Sequence, residues 1–152
     1  MPPPPWAVYH DDLLVADEIE LLRLVKADKV KWSSADPLVA ERAGSNAFED
    51  YPVDRLHEVD APAVAVSVFR RDCLRARGID WPDLIDRWGA DYGIAVIGAG
   101  AARSVGQGVI KWPNSQDESH CMIYTRRGEQ KSTKDSKRLA KLTTMLASPP
   151  RS

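Results

Sequence analysis

The sequence predicts an α+β protein: a single compact domain with a small mixed β-sheet, short helices and a basic C-terminal helix. Three observations lead there. The chain has 152 residues, 43% of them hydrophobic and 28% charged, which suits one globular domain with a real core and argues against wholesale disorder. Apolar residues alternate in some short runs and return at helical spacing in others. Glycines and prolines such as Gly78, Gly89 and Pro113 punctuate these runs at short intervals, as expected for short elements.

Taken in order, residues 1–15 form a proline-rich arm, in which Pro2 to Pro5 favour polyproline II. Residues 16–147 form the domain, and residues 148–152 a disordered tail. Ala16 to Glu20 look like an acidic first helical turn, and Leu21 to Val25 could continue it or form a strand, since periodicity cannot decide for so short an apolar run. Val30 and Trp32 alternate with Lys29 and Lys31, which favours a half-exposed strand. Residues 33–60 read as a long loop that either hides a short helix near Pro37 to Arg42 or is functional. Within it, Phe48 is expected to plug a core edge while Asn46 and Asp50 satisfy turn backbone.

Ala61 to Phe69 is the clearest strand, apolar on both faces and so central in a sheet. Arg70 to Arg77 is a short helix stopped by Gly78. Asp80 is an N-cap with Pro82 in the first turn, and Trp81, Leu84, Ile85 and Trp88 mark one buried helical face ended by Gly89. Strands follow at Tyr92 to Ile97, Val109 to Trp112 and His120 to Thr125, with a small-residue turn or helix across Gly98 to Gly106. A final helix runs from Thr133 to Leu146, with Ser132 and Asp135 spaced as a capping box and Asp135, Leu139, Leu142 and Leu146 on one face.

Net charge is −1, but it is segregated. Residues 1–60 carry thirteen acids and six bases, whereas residues 122–152 carry two acids and eight bases. Arg126, Arg127, Lys131, Lys134, Lys137, Arg138 and Lys141 make the C-terminal segment a candidate surface for an anionic partner. Alternatively, the two ends neutralise each other in the fold.

No other motif points to chemistry. Gly98-Ala99-Gly100-Ala101-Ala102-Arg103 follows a strand but puts Arg103 where a dinucleotide fingerprint wants a small residue, so a tight packing turn explains it better. His120 and Cys121 point to opposite faces of a strand and cannot act on each other, and Cys121 is expected as a buried small hydrophobe. His10, Asp11 and Asp12, with the other histidines and the two cysteines, show no zinc spacing. No metal, cofactor or catalytic set is expected. Asn46, Asp50 and His120 make a possible polar site. With no run of eighteen apolar residues, no secretory signal at the start and only two cysteines, the expected setting is the cytoplasm and no membrane partner.

Several strings resemble a group of uncharacterised small bacterial α+β proteins. They are Ser45-Asn46-Ala47-Phe48, Val66-Ser67-Val68-Phe69 leading into Cys73-Leu74, Tyr92-Gly93-Ile94-Ala95, and His120-Cys121-Met122-Ile123 ahead of the Lys-rich Lys137 to Leu142. The resemblance spans residues 20–146 and departs at Glu118-Ser119-His120-Cys121, where the group often reads Pro-Ala-His-Ala. It implies a compact single domain and singles out Asn46, Phe48 and His120, with no activity attached. The functional expectation is a non-enzymatic interaction or accessory protein that partners a larger bacterial protein. The alternatives are phosphate-backbone binding to nucleic acid through the basic segment, and a small enzyme using His120.

Overall fold

The computed structural model describes residues 15–49, 51–52, 64–111, 119–125 and 131–151. These form one α+β domain. Six strands make an antiparallel sheet in the order β7-β8-β5-β1-β6-β9. They are β1 (Glu20–Val25), β5 (Val64–Arg70), β6 (Gly93–Gly98), β7 (Gln107–Lys111), β8 (His120–Thr125) and β9 (Thr144–Ala147). A hairpin of β2 (Val30–Trp32) and β3 (Ala40–Ala43) stands apart from it, and β4 (Tyr51–Pro52) pairs with the start of β5. Four helices complete the domain: α1 (Arg71–Ala76), α2 (Trp81–Trp88), α3 (Ala99–Ser104) and α4 (Thr133–Lys141).

The expected mixed sheet is corrected to an antiparallel one. Helices α1 and α2 connect β5 to β6, two strands that run parallel to each other. Strand β1 lies between them, antiparallel to both, so no neighbouring pair is parallel. β1 is also where the open choice between helix and strand is decided. Leu21 and Leu22 point to opposite faces and both are fully buried. Burying each side chain is worth about 1.5–3 kcal/mol, against helix-propensity differences of roughly 0.7 kcal/mol at most for such residues. The acidic turn before β1 does not begin a helix. Its carbonyls at Asp17 and Ile19 instead accept the Gly100 and Ala99 N–H groups at the start of α3. A Cβ on Gly100 would stand 2.8 Å from the Asp17 Cβ, so the glycine serves close packing.

One face of the sheet carries Leu21, Val66, Val68, Ile97, Val109, Cys121 and Ile123, covered by Phe48, α3 and α4. Cys121 and Phe48 are fully buried there, as expected. The other carries Leu22, Phe69, Ile94 and Val96 under α1 and α2, with Leu74 and Leu84 as the helical contacts. α2 begins with a reciprocal capping box between Asp80 and Asp83 and ends at Gly89, as its sequence predicts. Its face is less buried than expected, because Trp88 is 50% exposed. The region read as a loop holds β3 and a 3-10 turn at Ser45–Phe48 rather than a helix near Pro37.

The final helix is shorter than expected and is not the C-terminal element. α4 keeps its Ser132–Asp135 capping box but ends at Lys141. Its buried side is Ser136, Leu139 and Ala140, while Leu142 is 40% exposed. The chain then turns into β9, which covers the edge of β6. Residues 148–151, expected as part of a disordered tail, lie against the hairpin. Ser148 Oγ accepts the Ala40 N–H, and Arg151 donates to the Pro37 carbonyl and stacks over the Trp32 ring. Residues 1–14 of the expected proline-rich arm lie outside the described residues.

Asp80 ties α1 to α2. It caps α2 and accepts hydrogen bonds from Arg71 and Arg75. Its burial raises the carboxyl pKa, but the hydrogen bonds from Arg71, the Trp81 N–H and Arg75 outweigh this and hold it below the usual carboxylate range. Asp72 is likewise held low, chiefly by its hydrogen bonds from Arg70. A carboxylate with a depressed native pKa stabilises fully above its unfolded value, and that stability is lost as pH falls through the native one. Urea unfolding is therefore expected to show stability declining below about pH 4. Asp80→Ala is expected to cost about 1–2 kcal/mol at neutral pH and to flatten the acid limb; an unchanged acid limb in this variant would refute the assignment.

Candidate functional site

A recess forms where β1 and β5 part. β1 pairs with β6 along all six of its residues, but with β5 only at Leu21 and Leu22. Beyond that point Arg23 enters the gap. Its Nε donates to the Ala47 carbonyl and its Nη1 to the Ser67 carbonyl, both at 3.0 Å. One guanidinium thereby joins β1, β5 and the 3-10 turn that carries Phe48. The planar fork suits this task, since two divergent acceptors are met by one rigid group.

The recess has a volume of about 430 Å³. Arg23 lines it, with Lys26 and Lys29 from the turn after β1 and Asp28 between them. Phe69 and Trp88 line it too, their ring centroids 6.4 Å apart. Tyr92 also contributes, with the Lys26 ammonium 5.2 Å from its ring centroid. Among the described residues neither Lys26 nor Lys29 makes an ion pair. Sequence reasoning missed this site, because its residues come from four separate segments and share no local spacing.

Ser67 lines the same recess and its hydroxyl contacts His120 Nε2. Strand register explains the contact. Phe69 is paired with His120, and Ser67, two residues earlier, lies on the same face of β5. The Phe69 and His120 rings are 5.7 Å apart. Asn46 Nδ2 donates to the Asp28 carbonyl and braces the turn that carries Lys26 and Lys29. Asp50 lies outside the described residues.

The sequence-derived basic set separates into three groups. Lys134, Lys137, Arg138 and Lys141 are exposed on α4. Lys131 is buried, its ammonium donating to the Ile123 carbonyl at 3.1 Å, and so does not belong to the surface. Arg126 and Arg127 lie outside the described residues. Among the described residues three acids of the N-terminal half pair elsewhere: Asp17 with Arg103, Glu20 with Arg71, and Glu41 with Lys31. None reaches α4. Tyr124, the aromatic nearest the basic segment in sequence, is buried at 1% exposure under the ladder position of Gly108, where a Cβ would stand 2.5 Å from its ring. No group of three or more metal-ligating side chains occurs among the described residues.

Arg23→Met keeps the aliphatic stem and removes the fork. It is expected to lower unfolding free energy by about 2 kcal/mol, since two part-buried carbonyls lose their donors, and to speed amide exchange across residues 66–68. A loss below about 0.5 kcal/mol, the usual scatter of surface changes, would show that the guanidinium does not hold the gap. No protein-family model, curated protein or solved structure matches the chain, so the resemblance to small bacterial α+β proteins stands on its quoted residues alone.

Proposed function

We propose that this protein acts by binding, as a non-enzymatic accessory protein that docks an acidic surface of a larger protein against α4. The observation that carries this reading is the four exposed cations of α4, Lys134, Lys137, Arg138 and Lys141, which have no ion-pair partner among the described residues. Asp135, the acid on the same helix, is occupied in the N-terminal cap. Cations left solvated on one face raise the rate of encounter with an oppositely charged partner. A protein partner is favoured over nucleic acid because single-stranded nucleic acids use aromatic stacking and Tyr124 is buried.

The test is recovery of partners from a lysate of the native host by tagged protein, with and without nuclease, beside the variant Lys134→Glu/Lys137→Glu. A nuclease-resistant protein partner lost in the folded variant is the expected result. Nucleic acid recovered by the parent and lost in the variant would replace this reading with the nucleic-acid one, whose affinity should fall steeply with salt. Equal recovery by parent and variant would remove α4 from the account.

The Ser67–His120 contact favours a second reading, a small enzyme with His120 as general base to a serine. Labelling by a fluorophosphonate probe at Ser67, abolished by His120→Ala, is the expected outcome on this reading. An unlabelled parent chain would refute it.

A further inference from the structure

We propose that the recess between β1 and β5 is a binding site for a small uncharged aromatic molecule, its ring packed against Leu24, Phe69 and Trp88 and its hydrogen-bonding group, an amide or hydroxyl, directed to Ser67. This inference goes beyond the α4 surface and does not depend on it. Phe69 belongs to the face of the sheet under α1 and α2, whereas Leu139 and Ala140 of α4 pack on the other.

The strand register shows how the recess is made. Leu21 pairs with Arg70 and Leu22 with Phe69. Continued by two residues, that ladder would set Leu24 opposite Ser67, on the face that carries Leu22 and Phe69. The strands part there instead, and both side chains line the recess. The gap thus has an apolar wall from β1 and a hydroxyl on the wall from β5. Its volume is about 430 Å³, within the roughly 300–1,000 Å³ common for small-molecule sites. Arg23 holds the separation through the Ala47 and Ser67 carbonyls. The opening is therefore present before a ligand arrives, which reduces the ordering that binding requires.

The aromatic requirement follows from Trp88. Its helix buries Leu84, yet Trp88 is 50% exposed beside the recess. Phe69 stands against it in a tilted arrangement at 52°, and Tyr92 lines the same recess. A flat ring seated among these side chains covers indole surface that water now touches. Ring pairs in offset or tilted contact gain more than their buried area alone provides.

The requirement for an uncharged ligand follows from the ions of the lining. Arg23 is engaged by its two carbonyls, and the Lys26 ammonium lies over the Tyr92 ring. Asp28 and Lys29, adjacent on the turn after β1, are opposite in sign. An ion entering the recess gives up water without meeting a group set aside for it, and desolvating a charge is costly unless it is paired. An uncharged polar group avoids that cost. Ser67 supplies its partner. The Ser67 hydroxyl contacts His120 Nε2, and a hydroxyl has one donor and two acceptor positions, so it can keep His120 and still bond a ligand.

The test is titration of the full chain, followed by backbone amide NMR shifts and by thermal shift. The probes are benzamide and indole-3-acetamide. Benzoate and indole-3-acetate are their charged counterparts, cyclohexanecarboxamide carries a ring that is not flat, and acetamide is the polar group alone. Saturable binding of at least one aromatic amide is expected, with shifts centred on Leu24, Ser67, Phe69 and Trp88. Cyclohexanecarboxamide and acetamide should bind about tenfold more weakly, and each carboxylate no more tightly than its amide. Trp88→Ala should weaken binding about tenfold. Ser67→Ala should weaken it about fivefold and keeps the test open if the first variant fails to fold. The proposal is overturned if neither aromatic amide binds at concentrations up to roughly 10 mM, or if the shifts lie away from the recess. It is equally overturned if a carboxylate binds more tightly than its amide, if cyclohexanecarboxamide or acetamide matches the aromatic amides, or if a folded variant binds as the parent does.

Discussion

The contact on which the rest of the architecture depends is the guanidinium of Arg23 between two strands that have parted. An antiparallel pair normally satisfies its own backbone groups. Here β1 leaves β5 after two paired residues, and the freed Ser67 carbonyl needs another donor. Arg23 supplies it and reaches the Ala47 carbonyl with the same group. That second bond fixes the turn carrying Phe48, and Phe48 is fully buried in the larger core. A lysine could not do the same, because its ammonium is a single point at the end of a flexible stem. The gap, the turn and part of the core therefore rest on one side chain. The recess is what remains of the gap once that side chain is in place.

Elements defined by their own residues were legible in the sequence. β5 shows apolar residues on both faces and proves central in the sheet. α2 carries its own cap at Asp80 and its own stop at Gly89. β8 occupies the expected residues. The misreadings arise where partners distant in sequence decide. The pattern Leu139, Leu142, Leu146 fits a helix, but Thr143 gives its hydroxyl to the Ala140 carbonyl and accepts the Ala43 N–H. Such a side-chain bond competes with helical backbone, and the chain leaves the helix to pair with β6. Sheet direction was misjudged for a similar reason: nothing local places β1 between the ends of the β5–β6 connection.

The candidate site was the least legible part. His120 was visible as a residue, but its neighbour was not. Ser67 and His120 are 53 positions apart and meet only because one strand register sets Phe69 opposite His120. Asn46 stood out in the sequence, and its amide braces the turn that carries Lys26 and Lys29. Arg23 gave no signal at all, since one arginine inside Leu-Leu-Arg-Leu-Val looks like the solvent-facing break in an apolar run.

Several arginines fasten segments together, as their chemistry suits them to do. Arg23 joins two carbonyls, Arg70 grips Asp72, Arg71 grips Asp80 and Glu20, and Arg103 holds Asp17. In each case a planar, multidentate group fastens one segment to another. Lys134, Lys137, Arg138 and Lys141 of α4, and Lys26 and Lys29 beside the recess, make no ion pair among the described residues. A lysine holds its hydration strongly and adds little as a surface brace. Its charge is then available to whatever approaches. The acidic N-terminal half and the basic C-terminal segment looked like halves of one neutral pair. Among the described residues Asp17 and Glu20 are held by Arg103 and Arg71 and Glu41 by Lys31, and the lysines of α4 take part in none of these pairs. The fold thus uses several arginines to hold segments together and leaves the cations of α4 solvated, where the proposed acidic partner would be met.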